Sequence, residues 1–188
     1  MKVLLIVDPQ NDFISGSLAV LGAEMAILNL IHWYKQHKDE LSETFVTMDT
    51  HPKSHCSFKE GGGEWSPHCV DNTKGWEIYE SLGNVLENDS YYLKGTNPNE
   101  DEYSIFSVNN KEGENLMNYL NFLKDKNDSL TIYIAGIAGD YCVLNTMRDL
   151  VKAGFTENLN VLCKCVASID EGTKLNEFIN TRNLKYSF

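Results

Sequence analysis

The sequence is short of basic residues. Its 188 residues include 16 Lys and Arg against 27 Asp and Glu, which gives a formal net charge of −11. A surface of that sign repels phosphate backbones and anionic lipid. The sequence also has no apolar run near the roughly 18 residues that a membrane span needs. We therefore expect neither a nucleic acid nor a membrane as a partner.

A secretory signal and a disulfide framework are missing as well. The short apolar run near the start ends at Asp8, whereas a signal peptide needs a longer apolar stretch and a small-residue cleavage site. The chain has five cysteines, and an odd number without a secretory signal is typical of free thiols in a reducing compartment. We therefore expect a cytoplasmic protein.

What the sequence does contain is an alternation of strand and helix patterns. Short apolar runs predict strands at 2–7, 45–48, 89–93, 130–135 and 160–166, with a further edge strand at 184–187. Apolar residues at helical spacing predict helices at 24–37, 114–124, 143–151 and 172–182. This alternation is typical of an α/β fold in which helices cover both faces of a parallel sheet. The length suits a single domain, 1–188.

Reactive side chains follow four of the predicted strands. Asp8 closes the first strand, Asp49 closes the second, and Lys94 follows the third. Cys142 comes after a short loop at the end of the strand at 130–135. Ligands bind at the carboxyl ends of the strands in such sheets, so we expect an acid, a cation, a thiol and a metal ligand at one edge.

Cys142 is the candidate nucleophile because it opens a predicted helix. The positive end of a helix dipole lowers the pKa of a thiol, and the thiolate is the nucleophilic form. The preceding loop, 136–140, contains two glycines and can aim backbone N–H groups at one point, as an oxyanion requires. On position alone, a buried structural cysteine is an equal alternative.

The candidate metal ligands lie in the segment 49–75. Asp49 and His51 are two residues apart, and His68 follows later in the same segment. A carboxylate with two imidazoles suits zinc, iron or manganese. A competing interpretation is a structural zinc site built from Cys56, Cys69, His51 and His68. Its cysteines are farther apart than is usual for such sites, which makes this the weaker hypothesis.

Five sequence blocks resemble, in the same order, the nicotinamidases of the isochorismatase-like cysteine hydrolases. They are Val7-Asp8-Pro9-Gln10-Asn11-Asp12-Phe13 with Gly16-Ser17-Leu18-Ala19-Val20, Asp49-Thr50-His51-Pro52, Trp65-Ser66-Pro67-His68-Cys69-Val70, Tyr92-Leu93-Lys94-Gly95 with Tyr103-Ser104-Ile105-Phe106, and Gly136-Ile137-Ala138-Gly139-Asp140-Tyr141-Cys142-Val143. The blocks coincide with the positions where the strand pattern already puts reactive groups.

The resemblance implies a three-layer α/β/α fold with a central, mostly parallel six-stranded sheet and a catalytic triad. In that triad Cys142 is the nucleophile, Asp8 is the general acid and base, and Lys94 is the cation that positions both. The resemblance also implies a cis peptide between Ile137 and Ala138. The N–H of Ala138 would then lie beside that of Cys142 and form the oxyanion hole.

For the cofactor, the resemblance implies a divalent metal held by Asp49, His51 and His68. Zinc is the first expectation, with iron and manganese as alternatives. The fourth ligand is open among His55, Glu60, Glu64 and water, and we favour water because no spacing singles out one of these side chains.

For the substrate, the resemblance implies contacts from Phe13, Trp65, Ile137 and Tyr103. The implied activity is metal-dependent hydrolysis of nicotinamide to nicotinate and ammonia through a cysteine thioester, which feeds NAD salvage, and pyrazinamide would be a second substrate. Two alternatives stay open: a related cysteine amidohydrolase with another amide or carbamoyl substrate, and a zinc-stabilised binding protein without chemistry. Assembly into a homo-oligomer is also left open.

Overall fold

The computed structural model describes residues 1–87, 89–106, 113–127 and 129–187. The strands are β1 Lys2–Val7, β2 Glu43–Asp49, β3 Asp89–Lys94, β4 Thr131–Ile137, β5 Leu159–Ala167 and β6 Lys185–Ser187. The helices are α1 Asn11–Ile14, α2 Ala23–His37, α3 Glu80–Gly83, α4 Leu116–Lys126, α5 Cys142–Lys152 and α6 Thr173–Arg182. Every predicted strand and helix is found, and the ends differ from the prediction by at most about two residues.

The strands form one sheet in the order β3-β2-β1-β4-β5-β6, and every neighbouring pair is parallel. This confirms the predicted six-stranded parallel sheet. The strand order changes direction between β1 and β4, and at such a point the loops leaving the two strands part and open a crevice. Asp8 lies in the loop after β1, and Cys142 begins α5 at the end of the loop after β4, so both residues lie at this crevice.

Helices cover both faces of the sheet, which confirms the three-layer α/β/α fold. Leu4 and Ile6 of β1 pack on the side of α2, where they share a cluster with Ile27. Val3 and Leu5 point to the other face and pack in a cluster that includes buried residues of α4, α5 and α6. Alternating β1 residues therefore fill two separate cores, because successive side chains of a strand point to opposite faces.

The helix predicted at 114–124 begins two residues later, at Leu116, because the side chain of Asn115 accepts a hydrogen bond from the Asn118 N–H and caps the helix there. The five cysteines are unpaired. Within the described ranges, no helix combines the length and the apolar character that crossing a bilayer requires.

Candidate active site

Four strand ends bring an acid, a second acid, a lysine and a thiol to one edge of the sheet. Asp8 follows β1, Asp49 ends β2, and Lys94 ends β3 directly opposite Asp49 in the parallel register. Cys142 is the first residue of α5, after β4. All four side chains are buried, so the charges among them have each other rather than water as partners.

Lys94 connects the other three groups. Its Nζ lies 2.9 Å from Oδ2 of Asp8 and 3.6 Å from Sγ of Cys142, and it donates a hydrogen bond to Oδ1 of Asp49. Ligand atoms of Asp8, Asp49 and Cys142 all lie within 4.8 Å of one another. The ammonium group of Lys94 therefore contacts two carboxylates and the thiol at the same time.

Lys94 is charged and Asp49 is ionised in this arrangement. Burial lowers the pKa of Lys94, but the charges of Asp49 and Asp8 outweigh burial and raise that pKa well above its ordinary value. Burial opposes ionisation of Asp49, but the charge of Lys94 outweighs burial and lowers the pKa of Asp49. The ion pair between Lys94 and Asp49 is thus the fixed part of the site.

The thiol of Cys142 keeps its proton in the resting site. Burial raises its pKa well above the ordinary value, and the charge of Lys94 opposes this only in part. Burial likewise raises the pKa of Asp8. The expectation of a lowered thiol pKa is therefore wrong. Cys142 does begin a helix, but it is 5% exposed, and desolvation outweighs the electrostatic help.

Two polar residues that the sequence reasoning missed hold Asp8 and Asp49 in place. Thr47 donates its hydroxyl to Oδ1 of Asp8 at 2.5 Å, and the Asp8 N–H donates to the Thr47 carbonyl at 3.1 Å. The side chain of Gln10 donates to the Asp49 carbonyl at 2.7 Å and accepts from the Asp49 N–H at 2.8 Å. The sequence offered two signals for them. Thr47 is a polar residue within the largely apolar β2, and Gln10 places an amide side chain in the first motif.

Asp49, His51 and His68 form a second cluster, with ligand atoms that all lie within 4.8 Å of one another. Nδ1 of His51 donates to the Gly95 carbonyl at 3.0 Å, and Nδ1 of His68 donates to the Ser66 carbonyl at 2.8 Å. These hydrogen bonds leave both Nε2 atoms as acceptors, as metal-binding imidazoles require. The donor set and its supporting hydrogen bonds therefore fit a divalent metal.

The other candidate ligands have different surroundings. His55 is buried, but its Nδ1 lies 2.7 Å from Oγ of Ser57 and its Nε2 lies 2.9 Å from the carbonyl of Glu100. Glu60 and Glu64 are exposed. The described part of the chain therefore offers three side-chain ligands here, and water stays the predicted fourth ligand.

Cys56 and Cys69 belong to none of the ligand clusters found among the described residues. Cys69 is fully buried and packs in the apolar cluster on the α2 side. The structural zinc site built on these two cysteines is therefore not supported.

A cavity with an empty volume of about 430 Å³ joins the thiol to the metal-ligand cluster. Cys142 and Ala138 lie on its wall together with all three candidate metal ligands. A small substrate in this cavity would therefore touch both the nucleophile and the metal-ligand cluster.

Aromatic side chains make up much of the cavity wall. Phe13, Trp65 and Tyr103 line it, as expected for substrate contacts, and Trp65 donates its Nε1–H to the Tyr103 hydroxyl at 3.1 Å. Tyr141 also lines the cavity, with its ring centroid 5.0 Å from that of Trp65. The sequence reasoning did not select Tyr141, although it directly precedes the candidate nucleophile.

Ile137 differs from its predicted role. Its side chain is fully buried and packs in the core on the α2 side, and it does not line the cavity. The Ile137–Ala138 peptide bond is cis, as the resemblance implied. The contribution of Ile137 to this region is therefore its backbone, whereas Ala138 reaches the cavity wall.

Comparison with known proteins identifies the family. A family model for the isochorismatase domain matches residues 2–184. The nicotinamidase/pyrazinamidase of Mycobacterium tuberculosis is 31% identical over 189 residues, which cover 98% of this chain and 97% of that protein.

Solved structures agree with this match. The pyrazinamidase of Pyrococcus horikoshii in complex with zinc is 31% identical, with a TM-score of 0.83 over 99% of this chain and 98% of that one. PnC1 from L. infantum in complex with nicotinate is 28% identical, with a TM-score of 0.84 over 100% of this chain and 92% of that one. The chain belongs to the isochorismatase-like hydrolase family.

Proposed function

We propose that this chain is a metal-dependent nicotinamidase that hydrolyses nicotinamide to nicotinate and ammonia, and that also accepts pyrazinamide. The observation that carries the proposal is the shared cavity, where Cys142 and the cluster of Asp49, His51 and His68 line one wall. The printed names of the relatives, which include nicotinamidases and pyrazinamidases, support the same substrate class.

Acylation begins with the buried thiol. Cys142 transfers its proton to Asp8 while Sγ attacks the amide carbon, because burial raises the pKa of both groups and makes early ionisation of the thiol costly. Asp8 then gives that proton to the amide nitrogen. The carbon–nitrogen bond breaks, ammonia leaves, and a nicotinoyl thioester remains on Cys142.

In deacylation the carboxylate of Asp8 acts again as the base, this time toward water. Asp8 takes a proton from water as the water oxygen attacks the thioester carbon. The carbon–sulfur bond breaks, Asp8 returns its proton to Sγ of Cys142, and the product leaves as nicotinate after its carboxyl proton passes to solvent. Lys94 stays charged throughout, since its contacts with both carboxylates raise its pKa. Its charge favours the negative charge that develops on Sγ of Cys142 in both half-reactions.

The developing oxyanion is assigned to the backbone N–H groups of Ala138 and Cys142. Ala138 lines the cavity, and its carbonyl accepts hydrogen bonds from the N–H groups of Tyr141 and Val143. These hydrogen bonds hold the loop in one arrangement. Donors that are fixed before the reaction stabilise an oxyanion without further reorganisation.

Asp49, His51 and His68 would hold the divalent metal, with zinc as the first choice. Bound there, the ion supplies a Lewis-acidic partner for a heteroaromatic nitrogen. The rings of Phe13 and Trp65 flank the pyridine. The supporting observation is that these side chains all line one cavity, so ring and amide would be bound within the same site.

We further propose that the chain is one domain that acts in the cytoplasm in NAD salvage. The match of the family model to residues 2–184 supports a single domain. The complexes of relatives with nicotinate and nicotinaldehyde support a small pyridine as ligand. Assembly of this chain into a homo-oligomer remains a separate hypothesis that solution scattering can test.

The test is ammonia release from nicotinamide. Zinc-loaded wild-type protein should release ammonia, and removal of the metal by a chelator should abolish most of that activity. Cys142→Ala should be inactive, whereas Cys163→Ala, which changes a half-buried cysteine of β5, should retain wild-type activity. The proposal fails if the metal-loaded wild type releases no ammonia.

A further inference from the structure

Asp12 lies outside the cavity wall, yet both oxygens of its carboxylate bind backbone groups of other segments. Oδ1 accepts a hydrogen bond from the Ser17 N–H at 3.0 Å, and Oδ2 accepts one from the Cys69 N–H at 2.8 Å. The second bond reaches from α1 to the segment that carries His68. Hydrogen bonds to an ionised carboxylate are about twice as strong as neutral ones.

Cys69 depends on such a partner because its backbone is in the left-handed region, with φ 45°. Residues other than glycine rarely adopt that conformation. Cys69 directly follows His68, and its carbonyl accepts a hydrogen bond from the His51 N–H at 3.0 Å. The hydrogen bonds of Cys69 with Asp12 and with His51 therefore fix the backbone of Cys69. This backbone follows His68 directly and connects its segment to His51.

The carboxylate of Asp12 lies directly against Gly75. A Cβ on Gly75 would lie 2.0 Å from Oδ2 of Asp12 and 2.3 Å from its Cγ. The Gly75 carbonyl also accepts a hydrogen bond from the Asp12 N–H at 3.0 Å. Glycine at this position therefore lets the carboxylate reach Cys69, and a larger residue would push it away.

We propose that Asp12 is a positioning residue that sets the metal affinity of the site by holding the backbone on the carboxyl side of His68. The inference rests on the proposed function, because it requires that the cluster containing His68 binds a divalent metal. Residues that orient metal ligands typically change the affinity by about 10- to 100-fold when they are replaced. Asp12 acts through the backbone, so we expect the lower end of that range.

The test measures the zinc affinity of folded protein by competition with a chelator. Asp12→Asn keeps the shape but presents one oxygen and one NH₂ group, so one backbone N–H faces a donor. We expect about tenfold weaker zinc binding. The control is Thr73→Val, which removes a hydrogen bond to the Val70 carbonyl in the same segment and should bind zinc like the wild type.

Gly75→Ala is the second variant, because it displaces the carboxylate of Asp12 without removing its charge. It should also weaken zinc binding, and thermal unfolding shows which variants fold. Wild-type affinity in the folded variants overturns the inference, and so does failure of both to fold, since Asp12 would then act on the whole fold.

Two wild-type results separate this inference from the proposed function. If the wild type binds zinc but releases no ammonia from nicotinamide, the proposed activity fails and the variants still decide the role of Asp12. If the wild type binds no zinc, the metal requirement and the role of Asp12 are both overturned.

Discussion

At the scale of single residues, Lys94 is the group on which the buried charges depend. It is fully buried between Asp8 and Asp49. Lys94→Met leaves two buried carboxylates without a cation, and removing one partner of a buried pair typically costs about 3–5 kcal/mol. We expect a loss of that order in the free energy of unfolding, measured with urea.

The control for Lys94 is an exposed lysine. Lys38 forms an ion pair with Glu87 at 2.8 Å, and both side chains are at least one-third exposed. Lys38→Met should change the free energy of unfolding by less than about 1 kcal/mol. A Lys94→Met protein as stable as the Lys38→Met protein would contradict the described charge arrangement.

One methyl group at Gly95 is enough to disturb the candidate metal ligands. Gly95 has φ +68°, and a Cβ there would lie 2.4 Å from Cε1 of His51. We expect Gly95→Ala to weaken zinc binding by about tenfold or more, as measured by isothermal titration. Gly62→Ala is the matched control, because Gly62 also has a positive φ, +91°, but open space around it. Equal zinc affinities for the two variants would remove Gly95 from the metal site.

The sequence predicted the reactive residues but not what surrounds them. Asp8, Lys94 and Cys142 each lie at or after the end of a strand, and strand ends are visible in an apolar pattern. The partner of Asp8, Thr47, lies 39 positions away, and local patterning carries no information about such pairs. The prediction of a lowered pKa for the Cys142 thiol was wrong for a related reason. The burial that raises this pKa depends on packing between distant segments.

At the scale of elements, α5 is the support of the nucleophile. Met147 lies about one and a half turns beyond Cys142. It is fully buried in the core between the sheet and the helices α4, α5 and α6. Met147→Ala should lower the free energy of unfolding by about 2–5 kcal/mol. Arg148→Ala, the exposed neighbour, should change it by less than about 0.5 kcal/mol. Urea unfolding of both variants measures the difference, and similar values would contradict the packing described for α5.

The elements also show where a pattern stops being informative. The strands and the four longer helices follow from apolar runs and helical spacing. The helices α1 and α3 have four residues each, which is too short to display a period. They are held by contacts with distant segments, such as the bond from the Asn11 N–H to the Glu77 carbonyl at 3.0 Å.

At the scale of the whole molecule, the parallel sheet gathers chemistry that is dispersed along the chain. Residues from position 8 to position 142 meet at one edge because the strands run in the same direction. The alternating pattern made this architecture predictable from the sequence. The cavity was not predictable in the same way, because its wall combines residues from the segments after β1, β2, β3, β4 and β5.

The central claim is that Cys142 carries the acyl group during amide hydrolysis. The most direct measurement is mass spectrometry of zinc-loaded protein quenched in acid during turnover of nicotinamide, followed by peptide mapping. The account predicts one nicotinoyl group on the peptide that contains Cys142 and none in Cys142→Ala. Ammonia release with the nicotinoyl group on another cysteine, or undiminished release by Cys142→Ala, would contradict it.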